Sequence, residues 1–556
     1  MKEKIILFLK KLLPLNEKEI ENFLEIPPNS ELGDYAFPCF QLAKIMKKNP
    51  VEIAKEISKK IPISKEIERI EARGPYINFF LNKKLLAKNT LNEILKKKDK
   101  YGSSKKGKGK TIAIDMSSPN IAKPFGIGHL RSTIIGNSIA NIAKFTGFKP
   151  VRINYLGDWG TQFGKLITGY KKFGDEKKLK KNPINHLLEL YVKVNNSPEL
   201  EQESRDWFRK LEEGNKEALI LWKRFKELSI KEFNEIYKLL RVKFEVISGE
   251  SFYNNKMDST ISELEKKGLL KESEGAKVVD LEKYSLGTCL IKKSDGTTLY
   301  ATRDITAAID RYKKYKFSKM FYEVGAEQKL HFRQFFKILE LMGYSWAKDC
   351  VHVDHGLYLD NDGKKFSTRK GKTVFMVEVI NETINLAKKE IVKREKLSQK
   401  ELQKRAKIIG LSAILYGDLK NHRSSDIVFD IERFLSFEGN TGPYLLYTYA
   451  RAKSILKKAK SKSKKHIINE ISEKEKNIIS KLADFSRVVE SAYNNLAPNI
   501  IANYVYELAQ IFNEFYHSEK VIGSEKEPFR LSLVEAASQV IKNALSLLGI
   551  QIIERM

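Results

Sequence analysis

Residues 117–133, Ser-Ser-Pro-Asn-Ile-Ala-Lys-Pro-Phe-Gly-Ile-Gly-His-Leu-Arg-Ser-Thr, constrain the fold of this chain more than any other stretch. The β-branched run Thr111-Ile112-Ala113-Ile114-Asp115 precedes them and reads as a buried strand. Leu130, Ile134, Ile139, Ile142 and Ala143 then recur at spacings that suit the buried stripe of a helix. A strand, a turn with glycine and proline, and a helix opening on Gly-x-Gly-His together make a place for anionic phosphate. The helix N-terminus offers unpaired N–H groups and the positive end of its dipole. Gly126 and Gly128 let a nucleotide approach the backbone, and Lys123 and His129 add side-chain donors. The pattern is neither Gly-x-Gly-x-x-Gly nor a Walker loop, because no Gly-Lys-Ser/Thr follows.

A second element lies far downstream, at 363–372: Gly-Lys-Lys-Phe-Ser-Thr-Arg-Lys-Gly-Lys. Charge runs are usually solvated faces, and that reading suits Lys457 to Lys465. In 363–372, however, Phe366 and Ser367 interrupt the charge inside a glycine-flanked turn. Such a loop, carrying Lys365 and Ser367, is expected to close over a triphosphate.

The chain has 101 Lys and Arg against 70 Asp and Glu, a formal charge of +31. A large polyanion, RNA or DNA, is the economical partner for that excess, although lysine-rich composition throughout the chain contributes as well. Cys39, Cys289 and Cys350 are scattered, with no Cys-x-x-Cys or Cys/His cluster. Neither structural zinc nor a disulfide framework is expected, which fits a reducing cytoplasm. Residues 1–14 read as an amphipathic helix without a cleavage site, and no stretch approaches a membrane span, so a soluble cytoplasmic protein is expected.

At 556 residues the chain exceeds one core, so several domains are expected. Residues 1–100 read as an α/β unit ending in the strand Tyr76-Ile77-Asn78-Phe79-Phe80-Leu81, and 96–110, rich in Gly, Ser and Lys, read as an exposed linker. From 101 to 385 strands and helices alternate, predicting a Rossmann-like parallel sheet with a charged helical insertion at about 173–245. Strands are expected at 151–156, 321–324 and 351–353, with ligands at their carboxyl ends. Residues 386–556 read as wholly helical. Their tyrosines and phenylalanines recur at helical spacing with leucines, which favours core positions over a surface that reads nucleic acid.

The two motifs, in this order and on this architecture, resemble the phosphate-binding and mobile-loop motifs of class I aminoacyl-tRNA synthetases. The resemblance sharpens to the arginyl-tRNA synthetase family and covers essentially the whole chain. It is carried by 117–133, by Gly157-Asp158-Trp159-Gly160-Thr161-Gln162-Phe163-Gly164, by Leu299-Tyr300-Ala301-Thr302-Arg303-Asp304-Ile305, by Gly442-Pro443-Tyr444 and by the terminal Glu554-Arg555-Met556. The resemblance implies an N-terminal domain that contacts the tRNA elbow, a class I nucleotide-binding sheet and an all-α C-terminal anticodon-binding domain. It implies an ATP- and tRNA-dependent ligase that forms arginyl-adenylate and passes the arginyl group to a ribose hydroxyl at the tRNA 3′ end. L-arginine, ATP with Mg²⁺ and tRNA(Arg) would be its ligands, with no metal held by the protein, and a monomer is what the resemblance suggests.

The residues suit this chemistry. The substrate carboxylate attacks, so catalysis reduces to positioning and to stabilising charge on the transferring phosphate. Lys123, His129, Lys365 and the helix N-terminus are expected to supply a positive field, with Gly126, Gly128 and Ser367 completing the ATP site. A planar, permanently charged guanidinium calls for carboxylate and aromatic partners. Tyr300 and Asp304, four residues apart, would share one helix face. The resemblance places arginine recognition there and adds Asn120 and Gln328, and also Asp115 and Glu250.

Two departures stand out. Gly126 occupies the place of the family's first motif histidine, and Thr368 that of the mobile loop's second lysine. They leave open a non-catalytic RNA-binding protein descended from a synthetase; among enzymes the runner-up is another class I synthetase. If the enzyme is active, Lys123 is the best candidate to compensate for the missing lysine.

Overall fold

The computed structural model describes residues 2–27, 29–294, 300–364, 375–459 and 470–556. Lys365, Ser367 and Thr368 of the second motif, and Leu299, lie outside the described residues. The chain divides into two compact units. One comprises 1–98, 455–484 and 510–539, and the other 99–454, 485–509 and 540–556. The helical stretch 386–556 is therefore shared out between the two.

The first unit contains a three-stranded antiparallel sheet of β1 (Tyr35–Pro38), β2 (Ile67–Arg73) and β3 (Tyr76–Leu81), with β3 central. Ile77, Phe79 and Leu81 of β3 are buried, as the aromatic run suggests. The helix Pro50–Lys60 starts cleanly, with Pro50 in its first turn and the Asn49 side chain accepting from the Val51 N–H. In the later segments of this unit Arg530 and the fully buried Glu475 form an ion pair at 2.7 Å.

The second unit is built on a five-stranded parallel sheet. Its strands are β4 (Thr111–Asp115), β5 (Lys149–Leu156), β6 (Val246–Gly249), β10 (Lys319–Gly325) and β11 (Cys350–His355), in the order β11-β10-β4-β5-β6. Each of the four sequence-expected strands is present, and β6 is an addition. From the central β4 the chain moves outward first through β5 and β6, then returns to place β10 and β11 on the other side. The β4/β10 boundary is thus the topological switch point, where loops part and a ligand crevice opens. Between β6 and β10 sits a separate antiparallel sheet of β7 (Leu270–Ser273), β8 (Ala276–Asp280) and β9 (Thr288–Lys292), which periodicity did not reveal. The insertion is helical as expected, ending in the long helix Lys216–Leu240.

Three expectations are corrected. The 96–110 linker is exposed over most of its length but pinned at three points, Tyr101, Gly102 and Gly107, rather than free: Tyr101 is buried and stacks on Phe485 with ring centroids 6.2 Å apart. Gly107 lies so close to Phe148 that a Cβ there would meet the ring at 2.2 Å. Glycine serves close approach here rather than flexibility. The motif helix Gly128–Phe145 is buried almost all round, not along one stripe, because it packs inside the unit. Beyond 386, a two-residue strand, Ile427–Val428, pairs in parallel with Tyr358–Leu359. The expected aromatic core largely holds, with Tyr449, Tyr504, Phe512 and Phe515 buried, while Tyr447 and Tyr516 are exposed.

Candidate active site

The turn after β4 holds three non-glycine residues in left-handed backbone, Ser117 (φ 73°), Ser118 (φ 47°) and Ala122 (φ 58°). Such conformations cost of order 1–3 kcal/mol each and persist only where surrounding contacts over-determine them. They are over-determined here. The Ser117 N–H donates to Ser132 Oγ (2.8 Å), the Ser118 N–H to Asn154 Oδ1 (3.2 Å) and the Ala122 N–H to Ser229 Oγ (3.0 Å). Ser132 Oγ donates onward to the Glu323 carbonyl at 2.7 Å, tying the turn across the switch point to β10.

This path brings Asn120 beside Gly157, the first residue of the Gly-Asp-Trp-Gly segment. The two backbones pair in parallel, and a Cβ at 157 would lie 2.1 Å from Asn120 Oδ1. Glycine at 157 therefore clears space for the Asn120 carboxamide, a role the sequence did not disclose. Asp158 is wholly buried, accepting from the Ser251 N–H and Oγ–H and pairing with Lys226.

The motif helix starts at Gly128 with no side-chain cap; the His129 and Leu130 N–H groups donate to the Gly126 and Ile127 carbonyls at 3.0 Å, so the helix start offers an anion the positive end of its dipole. The Gly126 N–H donates to His129 Nδ1 at 3.2 Å, which makes Nδ1 the acceptor and leaves Nε2–H as the donor. Burial pulls the imidazole down to about 4, with Lys123 and His355 adding repulsion. His129 is therefore neutral at pH 7 and offers a hydrogen bond rather than the positive charge expected of it. Lys123 is half-buried, its ammonium is pulled down by desolvation, and it sits 5.6 Å from the Tyr191 ring centroid. Among the described residues it makes no ion pair. Phe375, which resumes the described chain after the mobile-loop motif, bridges to Gly126, and the Met376 N–H donates to the Phe125 carbonyl at 3.0 Å. The chain just beyond the second motif is thereby tied to the first. A Cβ at 126 would meet nothing closer than His129 Nδ1 at 4.0 Å, so space alone does not exclude the family's histidine.

The residues proposed for arginine separate into two groups. Asp304, on the helix Tyr300–Tyr315, pairs through Oδ2 with His331 Nε2 at 2.7 Å. Glu250 is pushed up to about 7, mainly by burial, with Arg303 opposing and the nearby Asp304 adding to the rise. Gln328 closes the short turn after β10 and is exposed, and Tyr300 opens its helix 68% exposed. Asp115 stands apart. Its carboxylate is buried against Arg311 at 2.7 Å and accepts from Ser118 Oγ at 2.9 Å. Arg311 in turn lies 4.9 Å from the Tyr155 ring centroid. Asp115 is thus committed to an internal guanidinium, which suits holding the turn rather than meeting a ligand.

His331, three residues beyond Gln328, is the main site residue the sequence reading missed. Its spacing from Gln328 was visible, but its pairing with Asp304 is made only in three dimensions. A second missed pair is Glu323 with His355 Nδ1 at 2.9 Å, at the ends of β10 and β11.

Arrayed at the carboxyl ends of a parallel sheet, a Gly-x-Gly-His helix start and a neighbouring carboxylate group define a class I aminoacyl-tRNA synthetase. The model for the tRNA synthetases class I (R) catalytic domain matches residues 90–431. The arginyl tRNA synthetase N terminal domain matches 1–81, and the DALR anticodon binding domain matches 445–556. The chain belongs to the arginyl-tRNA synthetase family. It is 49% identical to an arginine–tRNA ligase of Clostridium perfringens over 99% of this chain and 98% of that one. Among solved structures it is similar to the Thermus thermophilus arginyl-tRNA synthetase (TM-score 0.84, 24% identity, 100% and 99% of the two chains). It is equally similar to that of Plasmodium falciparum (TM-score 0.83, 25% identity, the same coverage). Similarity at this level over the full length sets aside the non-catalytic and other-synthetase readings.

Proposed function

We propose that this site activates L-arginine with ATP and transfers it to tRNA through the following division of labour. A carboxylate oxygen of arginine attacks the ATP α-phosphorus, and the bond to the pyrophosphate oxygen breaks. The 3′-terminal ribose hydroxyl of tRNA then attacks the arginyl carbonyl carbon, and AMP departs. The observation that carries the reading is a helix start without a side-chain cap at Gly128 beside a neutral, oriented His129, together with an Asp304 carboxylate held by His331 on the helix that leads into β10. No side chain acts as a nucleophile, so rate comes from pre-set donors aimed at developing phosphate charge.

In this reading His129 Nε2–H and the positive end of the helix dipole hold the triphosphate, Lys123 supplies the point charge, and Lys365 and Ser367 close over it. Gly126 and Gly128 leave the backbone open to the nucleotide. Asp304 and Tyr300 bind the guanidinium, His331 fixes the Asp304 carboxylate, and Glu250 deepens the negative field. Asn120 and Gln328 hold the amino and carboxylate groups of the amino acid. Asp115, through Arg311 and Ser118, positions the turn that carries Asn120. Mg²⁺ would arrive on the triphosphate. Among the described residues no three His, Cys, Asp or Glu side chains gather into a metal site, and no step is derived through the ion. Among the described residues no helix is long and apolar enough to cross a membrane. The working form proposed is a cytoplasmic monomer charging tRNA(Arg).

The test is charging of bulk tRNA with each radiolabelled amino acid in turn: arginine alone should be incorporated, and incorporation of another amino acid in its place would overturn the assignment. A pH series probes Glu250. In the free enzyme this carboxyl titrates near 7, so lowering the pH through that value removes a negative charge from the guanidinium pocket. The kcat/KM for arginine is expected to fall below about pH 7, and Glu250→Gln should flatten that limb while lowering the plateau. An unchanged limb in the variant would remove Glu250 from the pocket.

A further inference from the structure

A cavity of about 170 Å³ lies in the second unit, and its lining shares no residue with the candidate catalytic site. It is bounded by the end of the insertion helix Lys216–Leu240, the helix Gln399–Leu419 and the C-terminal stretch at Gly549 and Gln551. Four cations line it: Lys238, Arg241, Lys404 and Lys407. Buried Ile408, Leu411 and Leu415 form its apolar wall.

Two bland accounts must be met. Lys238 and Arg241 sit at a helix C-terminus, where cations complement the dipole. Unpaired lysines are also common on a chain of charge +31. The dipole does not account for Lys404 and Lys407, which are three apart near the other end of their helix, where like charges repel, and composition alone does not gather four cations around one cavity. Their neighbour Arg405 is satisfied by Glu395 at 2.8 Å and Glu401 at 2.9 Å. Among the described residues, none of the four lining cations makes an ion pair or a side-chain hydrogen bond. Four solvent-exposed cations line one concavity, where like charges add to a positive potential. A water claims about 30 Å³, so the cavity accommodates a tetrahedral oxyanion.

We propose that this cavity is a phosphate-binding site distinct from the catalytic crevice, holding either a phosphate of the bound tRNA backbone or a free phosphate anion. Lys404 and Lys407 meet it from one wall and Lys238 and Arg241 from the other. The assignment stands independently of the residue roles given to the catalytic site.

The experiment compares the full-length enzyme with Lys404→Gln/Lys407→Gln and with Lys266→Gln/Lys267→Gln, an equal charge change on an exposed helix end. Inorganic phosphate is titrated calorimetrically with the catalytic crevice filled by a non-hydrolysable ATP analogue, and tRNA affinity is measured across a salt series. If the tRNA backbone is the source, the 404/407 variant binds tRNA more weakly and its log–log salt slope is shallower by roughly 1–2 than the control's, with the KM for ATP unchanged. If a free anion is the source, tRNA binding matches the control and a saturable phosphate site present in the control is lost. The 404/407 variant matching the control in both titrations overturns the proposal. Arg241→Gln, at an exposed position, is read in the same way should the double variant melt early.

Discussion

Replacing Asp304 with asparagine is expected to raise the KM for arginine steeply while leaving the KM for ATP near its original value. The substitution keeps the shape but replaces one acceptor oxygen with an NH2 donor and removes the negative charge. Oδ2 is occupied by His331, so Oδ1 is the oxygen left for a guanidinium, and the charge it shares is what an amide cannot supply. Truncating one partner of a desolvated charge pair typically costs about 2–5 kcal/mol. Asp304 retains 25% of its side-chain exposure, which places the loss toward the lower end, about 2–3 kcal/mol, or roughly 30- to 150-fold in KM. The nearby Glu250 complicates the reading usefully. With Asp304 neutral, one cause of its raised titration disappears, so the acid limb of kcat/KM should move to lower pH in the variant. Arginine binding at the original KM, with an unmoved acid limb, would show that the guanidinium is held elsewhere.

The parts of the fold that could be read from the sequence are those in which local pattern and tertiary role coincide. Runs such as Thr111–Asp115 and Lys149–Leu156 are buried strands because β-branched and apolar residues fill both faces of a parallel sheet. The β7–β9 sheet escaped because its strands are short and carry Lys, Glu and Ser on their exposed positions, which resembles loop composition. Gly102 and Gly107 escaped for a different reason. Glycine that permits flexibility and glycine that permits contact are the same letter, and only the rings of Phe485 and Phe148 distinguish them.

At the site, the motif residues were legible because their spacing along the chain carries their chemistry. What was not legible is which carboxylates remain free. Asp115 and Asp304 look alike in sequence, yet one is bound to Arg311 from a distant helix and the other to His331, whose ring leaves one oxygen open. The protonation of His129 also depended on burial and on the Gly126 N–H, neither of which a motif displays.

That neutrality sharpens the problem set by Thr368. With His129 uncharged and no lysine at 368, the positive charge needed as pyrophosphate leaves must come from another residue. Lys123 fits the requirement, lying in the turn between β4 and the motif helix, close enough to His129 to depress its protonation and without an ion-pair partner among the described residues. Its partial burial matters in both directions: desolvation lowers the ammonium's affinity for its proton, yet the same dry surroundings strengthen its pull on a developing phosphate charge. A group that acts mainly in the transition state lowers kcat when removed and changes KM little. Lys123→Ala is therefore expected to lose about 2–4 kcal/mol of activation stabilisation, roughly 30- to 1000-fold in single-turnover arginyl transfer with tRNA present. Lys123→Arg should retain part of the rate because it keeps the charge. Thr368→Lys in the Lys123→Ala background should restore part of it, since a cation brought by the closing loop would meet the same oxygens. A Lys123→Ala enzyme within a few-fold of the original would transfer the role to Arg369 or Lys370, and a Thr368→Lys change without effect in either background would show that the loop position does not reach the phosphates.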